Sequence, residues 1–151
     1  MKTCCLRAGC LTGPLQSGVE LHGFLNYLIK CNVDKKIYKI YGYKGKQVRD
    51  NIDADDVASL INEFIKKPKI GEVYNLGGGK KNSISILEAI KKIEKISGIK
   101  MRYRYITKAR IGDHICYYSN LNKIKKHFPK WKVKKNLDQI FLEIFNHWNN
   151  R

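Results

Sequence analysis

The feature that most constrains this chain is an alternation of two sequence periods. Short apolar runs at 3–11, 37–41, 72–76 and 101–106 are bounded by glycine, proline or polar residues and read as strands. Between and after them, apolar residues recur at helical spacing. Leu21, Phe24, Leu25 and Leu28 form one stripe of a helix ending near Asn32. Val57, Leu60, Ile61 and Phe64 form a second, closed by Lys66-Lys67-Pro68. Ile86, Ala89, Ile90, Ile93 and Ile96 form a third, and Leu137, Ile140, Phe141, Ile144 and Trp148 the last, opened by Asn136. Strand–helix alternation of this kind predicts an α/β fold. The strands near 3–10 and 72–76 are expected in one parallel sheet, flanked by the helices at 55–66 and 85–97. The strands near 37–41 and 101–106 are expected outside it, in a smaller lobe.

Local punctuation supports these boundaries. Asp53 or Asp55 can cap the second helix, Ser85-x-x-Glu88 is a capping box for the third, and Gly98 ends it. Gly77-Gly78-Gly79 follows a strand but is not a phosphate loop, since Lys80-Lys-Asn-Ser-Ile lacks the second glycine; it reads as a flexible turn. The run at 3–11 is expected to be a buried strand, and Arg7 within it to find a carboxylate or carbonyl. A short helix is expected at about 120–127.

The stretch Tyr38–Asp56 carries the chemistry. A strand ends in a glycine-punctuated loop, Arg49 stands between Val48 and Asp50, and an acidic cluster opens the next helix. Only six of the 30 basic residues are arginines. A planar, permanently charged fork at such a place suits bidentate binding of phosphate or carboxylate, the alternative being a local pairing with Asp50 or a loop carbonyl.

A net charge of +17 asks for an anionic partner. The lysines, however, fall in scattered doublets such as Lys35-Lys36, Lys80-Lys81 and Lys125-Lys126, with no nucleic-acid-binding motif beside them. That argues against nucleic acid and for a small anion such as a nucleotide. No apolar run is long enough to span a bilayer. The start of the chain lacks the apolar core of a secretory signal, so a cytoplasmic protein is expected. The five cysteines match no metal-ligand spacing and are expected to be reduced, small core residues rather than a metal site.

Thr12-Gly13-Pro14 after a strand, Gly45-Lys-Gln-Val-Arg49-Asp50, Tyr74-Asn-Leu-Gly-Gly78 and Arg110-x-Gly-Asp113 occur here in that order. In this the chain resembles the extended short-chain dehydrogenase/reductases, and among them the NAD-dependent nucleotide-sugar epimerases of CDP-paratose 2-epimerase (CDP-tyvelose epimerase) type. The resemblance covers the whole chain but only the C-terminal half of such an enzyme. It implies a partial Rossmann-like parallel sheet with a small α/β substrate-binding lobe, so that residues 1–151 form the C-terminal substrate-binding portion. It also implies that Arg49 and Arg110 hold the pyrophosphate of a nucleotide-diphosphate sugar, and that Asp113 accepts from its ribose hydroxyls. Tyr41 would lie against the base, and His22 with Gly23 would border the sugar. Gly9, Cys10 and Leu11 would pass the nicotinamide of NAD.

The chain departs from that family in two motifs. It has no glycine-rich dinucleotide turn, and none of its nine tyrosines is followed four residues later by lysine. The expectation is a substrate half without the chemistry half, inactive alone. The NAD-binding part would belong to a separate polypeptide or to lost sequence, and the uncovered sheet would be prone to self-association. The alternatives are a nucleotide-sugar-binding module without catalysis, or a basic interaction protein that inherited the fold.

Overall fold

The computed structural model describes residues 1–20 and 22–151; Leu21, assigned above to the first helical stripe, lies outside the described residues. Eight strands are described: β1 (Cys5–Ala8), β2 (Cys10–Thr12), β3 (Tyr38–Tyr41), β4 (Val48–Asp53), β5 (Val73–Leu76), β6 (Ser83–Ser85), β7 (Tyr103–Ile106) and β8 (Cys116–Tyr117). Five helices accompany them: α1 (Phe24–Val33), α2 (Ala54–Lys66), α3 (Ile86–Ser97), α4 (Asn122–His127) and α5 (Leu137–Asn149). No helix among the described residues is long and apolar enough to cross a membrane.

The pairing is mostly parallel. β1 runs beside β5 from Cys5↔Val73 to Ala8↔Leu76, as the sequence predicts. β3 and β7 lie outside that sheet, as expected, and pair with each other in a separate two-stranded one. Two readings need correction. The run at 3–11 is not one buried strand: it breaks at Gly9, and β2 leaves β5 to pair with β4. Cys5, Arg7 and Ala8 are exposed, because β1 has a strand on one side only among the described residues, and Arg7 finds no carboxylate or carbonyl there.

The second correction concerns residues 48–53, read as loop and in fact strand β4. It is the hub of the sheet: β2 runs parallel beside its second half, β8 parallel and β6 antiparallel beside its first. What holds it is Asp50, fully buried, whose Oδ2 accepts from the backbone N–H of Gly79 (3.0 Å) and of Ser119 (2.9 Å). The chain must come close to reach that carboxylate. A Cβ on Gly9 would lie 2.5 Å from Asp50 Oδ1, and one on Gly77 would overlap Oδ2 and the Ser119 hydroxyl. The glycine triplet is therefore a tight packing surface and not a flexible turn, and a 3₁₀ turn and β6 intervene before α3.

Two apolar cores flank this sheet. One packs α1, α3 and α5 together with Tyr38 and Ile40 of β3, and Ile93, Ile140, Phe141 and Ile144 are wholly inaccessible. Each such side chain contributes about 1.5–3 kcal/mol by leaving water. The other joins Ile52, Leu60, Tyr74 and Leu76 to Leu121, Ile124, Phe128 and Trp131. Asp53 caps α2 by accepting from Asp55 N, Ser85 and Glu88 complete the capping box of α3, and Gly98 closes that helix in left-handed geometry. Asn136 and Gln139 form a capping box on α5. Ile61, expected in the stripe of α2, is exposed, because only one narrow face of that helix meets the sheet. β7 is exposed along most of its length, since the helical core packs on Tyr38 and Ile40 of its partner β3 and takes in no β7 side chain. Of the cysteines, only Cys31 is a fully buried core residue; Cys4 and Cys10 are half-buried, while Cys5 and Cys116 are exposed, and all five are free thiols.

Candidate functional site

The turn before α1, the end of β3, the start of β4 and the loop after β7 meet around one cavity of about 170 Å³. Its wall is built of short contributions. The turn supplies Glu20, His22 and Gly23; β2 supplies Cys10; β3 supplies Tyr38, Lys39 and Tyr41; β4 supplies Arg49; and the loop supplies Arg110 and Asp113. His22 is exposed and held in a small turn by backbone bonds with Val19, and Gly23 (φ 73°) turns the chain into α1. The loop at 107–113 sits directly on Gly42 (φ 62°), where a Cβ would fall 2.6 Å from that of Ala109. A side chain at 42 would push Arg110 and Asp113 away from β4.

The charged centre is a carboxylate shared by two guanidiniums. Arg49 Nη2 donates to Asp113 Oδ1, Arg49 Nη1 donates to its neighbour's carbonyl on Val48 (2.7 Å), and Arg110 Nη2 stands 3.9 Å from the same Asp113 oxygen. The side chain of Asp113 is only 8% exposed, and its Oδ2 has no described partner. Arg110 is 38% exposed, so most of its fork remains free. Of the local pairings open to Arg49, the one with Asp50 is not formed, because Asp50 turns into the glycine cluster, whereas the one with a backbone carbonyl is, on Val48. Two forks from separate elements, pre-set around one acceptor, can take a doubly charged anion with little loss of side-chain freedom.

A second charged group lies along the same wall. Glu20 Oε1 accepts from the Tyr41 hydroxyl (2.6 Å) and faces Lys39 Nζ (2.7 Å). The bonds from Lys39 and then Tyr41 hold the Glu20 carboxyl below its ordinary range, and the same contact raises Tyr41 and Lys39. Sequence reading missed Glu20 and Lys39. The available signals were an acidic residue two positions before His22, and a lysine two positions before Tyr41 on the same strand face.

Two further clefts share residues with this cavity. One, about 660 Å³, lies between Tyr41 and the loop 108–113. The other, about 380 Å³, is lined by Gly9, Cys10 and Leu11 together with His22 and Gly23. The three residues assigned to the nicotinamide are thus neighbours in one cleft, which touches the charged cavity through Cys10, His22 and Gly23. Burial pushes the Cys10 thiol up to about 11 against the pull of Arg49, so it is an uncharged wall. No lysine or arginine lines this cleft among the described residues, so it offers no cationic partner to a dinucleotide's pyrophosphate.

Known proteins share this sequence pattern and this fold. Residues 1–77 match the NAD dependent epimerase/dehydratase family. The chain is 28% identical to CDP-paratose 2-epimerase of Salmonella typhi over 151 residues, 93% of this chain and 44% of that protein. It is 36% identical to UDP-glucuronate 4-epimerase of Thermodesulfobacterium geofontis over 111 residues, 74% of this chain and 33% of that protein. Among solved structures, a mutant UDP-glucuronic acid 4-epimerase from Bacillus cereus, in complex with UDP-4-deoxy-4-fluoro-glucuronic acid and NAD, superposes with a TM-score of 0.85 at 25% identity. That match covers 99% of this chain and 46% of the other. UDP-glucose 4-epimerase of Thermotoga maritima gives 0.83 at 22% identity over 97% and 46%, which speaks to the fold alone. The chain spans less than half the length of these relatives. With the match to its first 77 residues, the parallel α/β architecture and these neighbours, the chain belongs to the NAD-dependent epimerase/dehydratase family.

Proposed function

We propose that this chain is the substrate-binding portion of an NAD-dependent nucleotide-sugar epimerase, of CDP-paratose 2-epimerase type, and that by itself it binds a nucleotide-diphosphate sugar without turning it over. The observation that carries this is the convergence of Arg49 and Arg110, from separate elements, on one cavity with Asp113 between them. In this reading the diphosphate takes the place now held by Asp113 Oδ1 on the two forks. The released carboxylate, with its unpartnered Oδ2, then accepts from the ribose hydroxyls. Tyr41 lies against the base, and His22 with Gly23 borders the sugar on the way to the cleft of Gly9, Cys10 and Leu11. Cavity and adjoining clefts together reach the size of ordinary small-molecule sites, which the 170 Å³ cavity alone does not.

Residues 1–151 then form the substrate-binding portion. The free side of β1 is where a dinucleotide-binding part would continue the sheet, in the same or another polypeptide. NAD, when bound, supplies the hydride acceptor; this chain's own contribution is to orient the sugar nucleotide and to wall the nicotinamide with uncharged groups. The five free thiols fit a cytoplasmic setting.

The test is titration calorimetry of CDP and UDP onto the wild type and Arg49→Ala. Losing one charge-assisted partner costs about 1.5–3 kcal/mol, roughly ten- to hundredfold in affinity. Equal affinity of the two proteins for both nucleotides would refute the site. Turnover of a CDP- or UDP-sugar by the purified chain with NAD would refute the inactivity.

A further inference from the structure

We infer that Tyr43, which lines none of the clefts described above, is a positioning residue: its hydroxyl holds the loop of Arg110 and Asp113 in place when an anion takes Arg49 away from Asp113. The inference rests on the anion-binding reading proposed above and deepens it.

The turn between β3 and β4 adopts a costly backbone. Tyr43 (φ 45°) and Lys44 (φ 51°) lie in the left-handed region one after the other, between Gly42 and Gly45. Glycine enters that region freely, whereas a bulky side chain such as tyrosine does so at a cost. Packing locks the turn at both ends. Gly42 sits against Ala109, and a Cβ on Gly45 would lie 2.9 Å from Leu87 Cγ. Strain of this kind persists where the surroundings over-determine it, and it gathers at places that need a fixed geometry. What this turn fixes is the half-buried Tyr43, whose hydroxyl donates to the backbone carbonyl of Asp113 at 3.3 Å.

That bond matters because the loop has few others. Its ends are pinned by Gly42 N–H to the Ile106 carbonyl and Val48 N–H to the Ile115 carbonyl, both 2.9 Å. Between these pins, two described hydrogen bonds tie residues 107–114 to the rest of the protein, and both end on Asp113. Arg49 holds its carboxylate, and Tyr43 holds its carbonyl. An anion on the two arginine forks competes for the first tie and cannot touch the second. The two ties are thus redundant in the free protein, and Tyr43 carries the loop once the ion pair has given way. At 3.3 Å the bond is long for a hydroxyl donor, which leaves the loop room to tighten when a ligand arrives.

Two measurements on the full chain test this. The first is hydrogen exchange, read by mass spectrometry over residues 107–114, in wild type, Tyr43→Phe, Asp113→Ala and the double variant without ligand. Each single variant keeps one tie and should stay as protected as wild type, while the double variant should exchange at least about tenfold faster. A single variant that opens by itself, or a double variant that stays protected, would overturn the inference. The second is calorimetric titration of CDP and UDP onto wild type and Tyr43→Phe. A bond made equally with and without ligand drops out of the affinity, whereas one that counts only in the complex does not. Binding should therefore weaken about two- to tenfold, the worth of one hydrogen bond, with the unfolding midpoint of the free protein unchanged. Unchanged affinity, or a lower midpoint in the free variant, would assign Tyr43 a merely structural role. If wild type binds neither nucleotide, the sugar-nucleotide reading falls, and the exchange of the ligand-free variants still decides whether Tyr43 holds the loop.

Discussion

Asp50→Ala should unfold this protein more readily by about 3 kcal/mol. The carboxylate is fully buried, and its Oδ2 receives the backbone N–H groups of Gly79 at 3.0 Å and Ser119 at 2.9 Å. Alanine leaves both donors buried without an acceptor, at about 1–3 kcal/mol each. Against that stands the removal of the buried Oδ1, which has no partner among the described residues and whose loss returns part of the cost. The net is a large share of the roughly 5–15 kcal/mol that holds a domain together. In a chain of this size it corresponds to a midpoint about 6–12 °C lower. Asp50→Asn, which keeps an acceptor for the two N–H groups, should lose less than half as much. Urea unfolding followed by tryptophan fluorescence reads the difference, with Trp131 in the adjoining core as reporter. An alanine variant within about 0.5 kcal/mol of wild type, at unchanged denaturant slope, would show that Asp50 does not clasp the three segments.

Two further outcomes are expected. Ser85→Ala removes the reciprocal cap of α3 and should cost about 1–2 kcal/mol at pH 7. The Ser85 bonds lower the Glu88 pKa, so their stabilisation is present above the unfolded carboxylate pKa and is lost as pH falls through the folded one; the penalty measured by unfolding should therefore shrink in acid, below about pH 4. In maleimide labelling followed by mass spectrometry at pH 8, exposed Cys5 and Cys116 should react first. Cys10, with a pKa near 11, is roughly a thousandth thiolate there and should lag, speeding up as pH rises towards 11; prompt labelling of Cys10 would contradict its burial.

Helix boundaries were the most legible part of this sequence, because their signals are local. Ser85 and Glu88, Asn136, Asp53 and Gly98 each announce a helix end within one turn of where it falls. Strand pairing was legible where an apolar run stood alone, as in β5, and illegible in β4. There Arg49, Asp50, Asn51 and Asp53 look like loop residues, since what buries them is a partner segment far away in sequence. The same distance hid the role of the glycine triplet, whose packing against Asp50 no local pattern reports. Of the site, Arg49 stood out as a rare arginine following a glycine-punctuated loop, whereas Arg110 and Asp113 came only with the family resemblance. Glu20 and Lys39 did not stand out, because a single acid or lysine in a strongly basic chain carries meaning only once Tyr41 is seen between them.

The placement of β4 also bears on the order in which the molecule comes together. Arg49 and Asp113 are 64 positions apart, Asp50 and Ser119 69, and every strand that pairs with β4 comes from a distant stretch of the chain. Helices and their caps can form early, whereas these contacts require long loops to close before any of them is rewarded. The cavity is then among the last parts to assemble and among the first to come apart. On the reading proposed above, in which this cavity holds a nucleotide, a nucleotide added to the folded protein should slow unfolding strongly and leave the folding rate nearly unchanged, as expected for a binding place that assembles late.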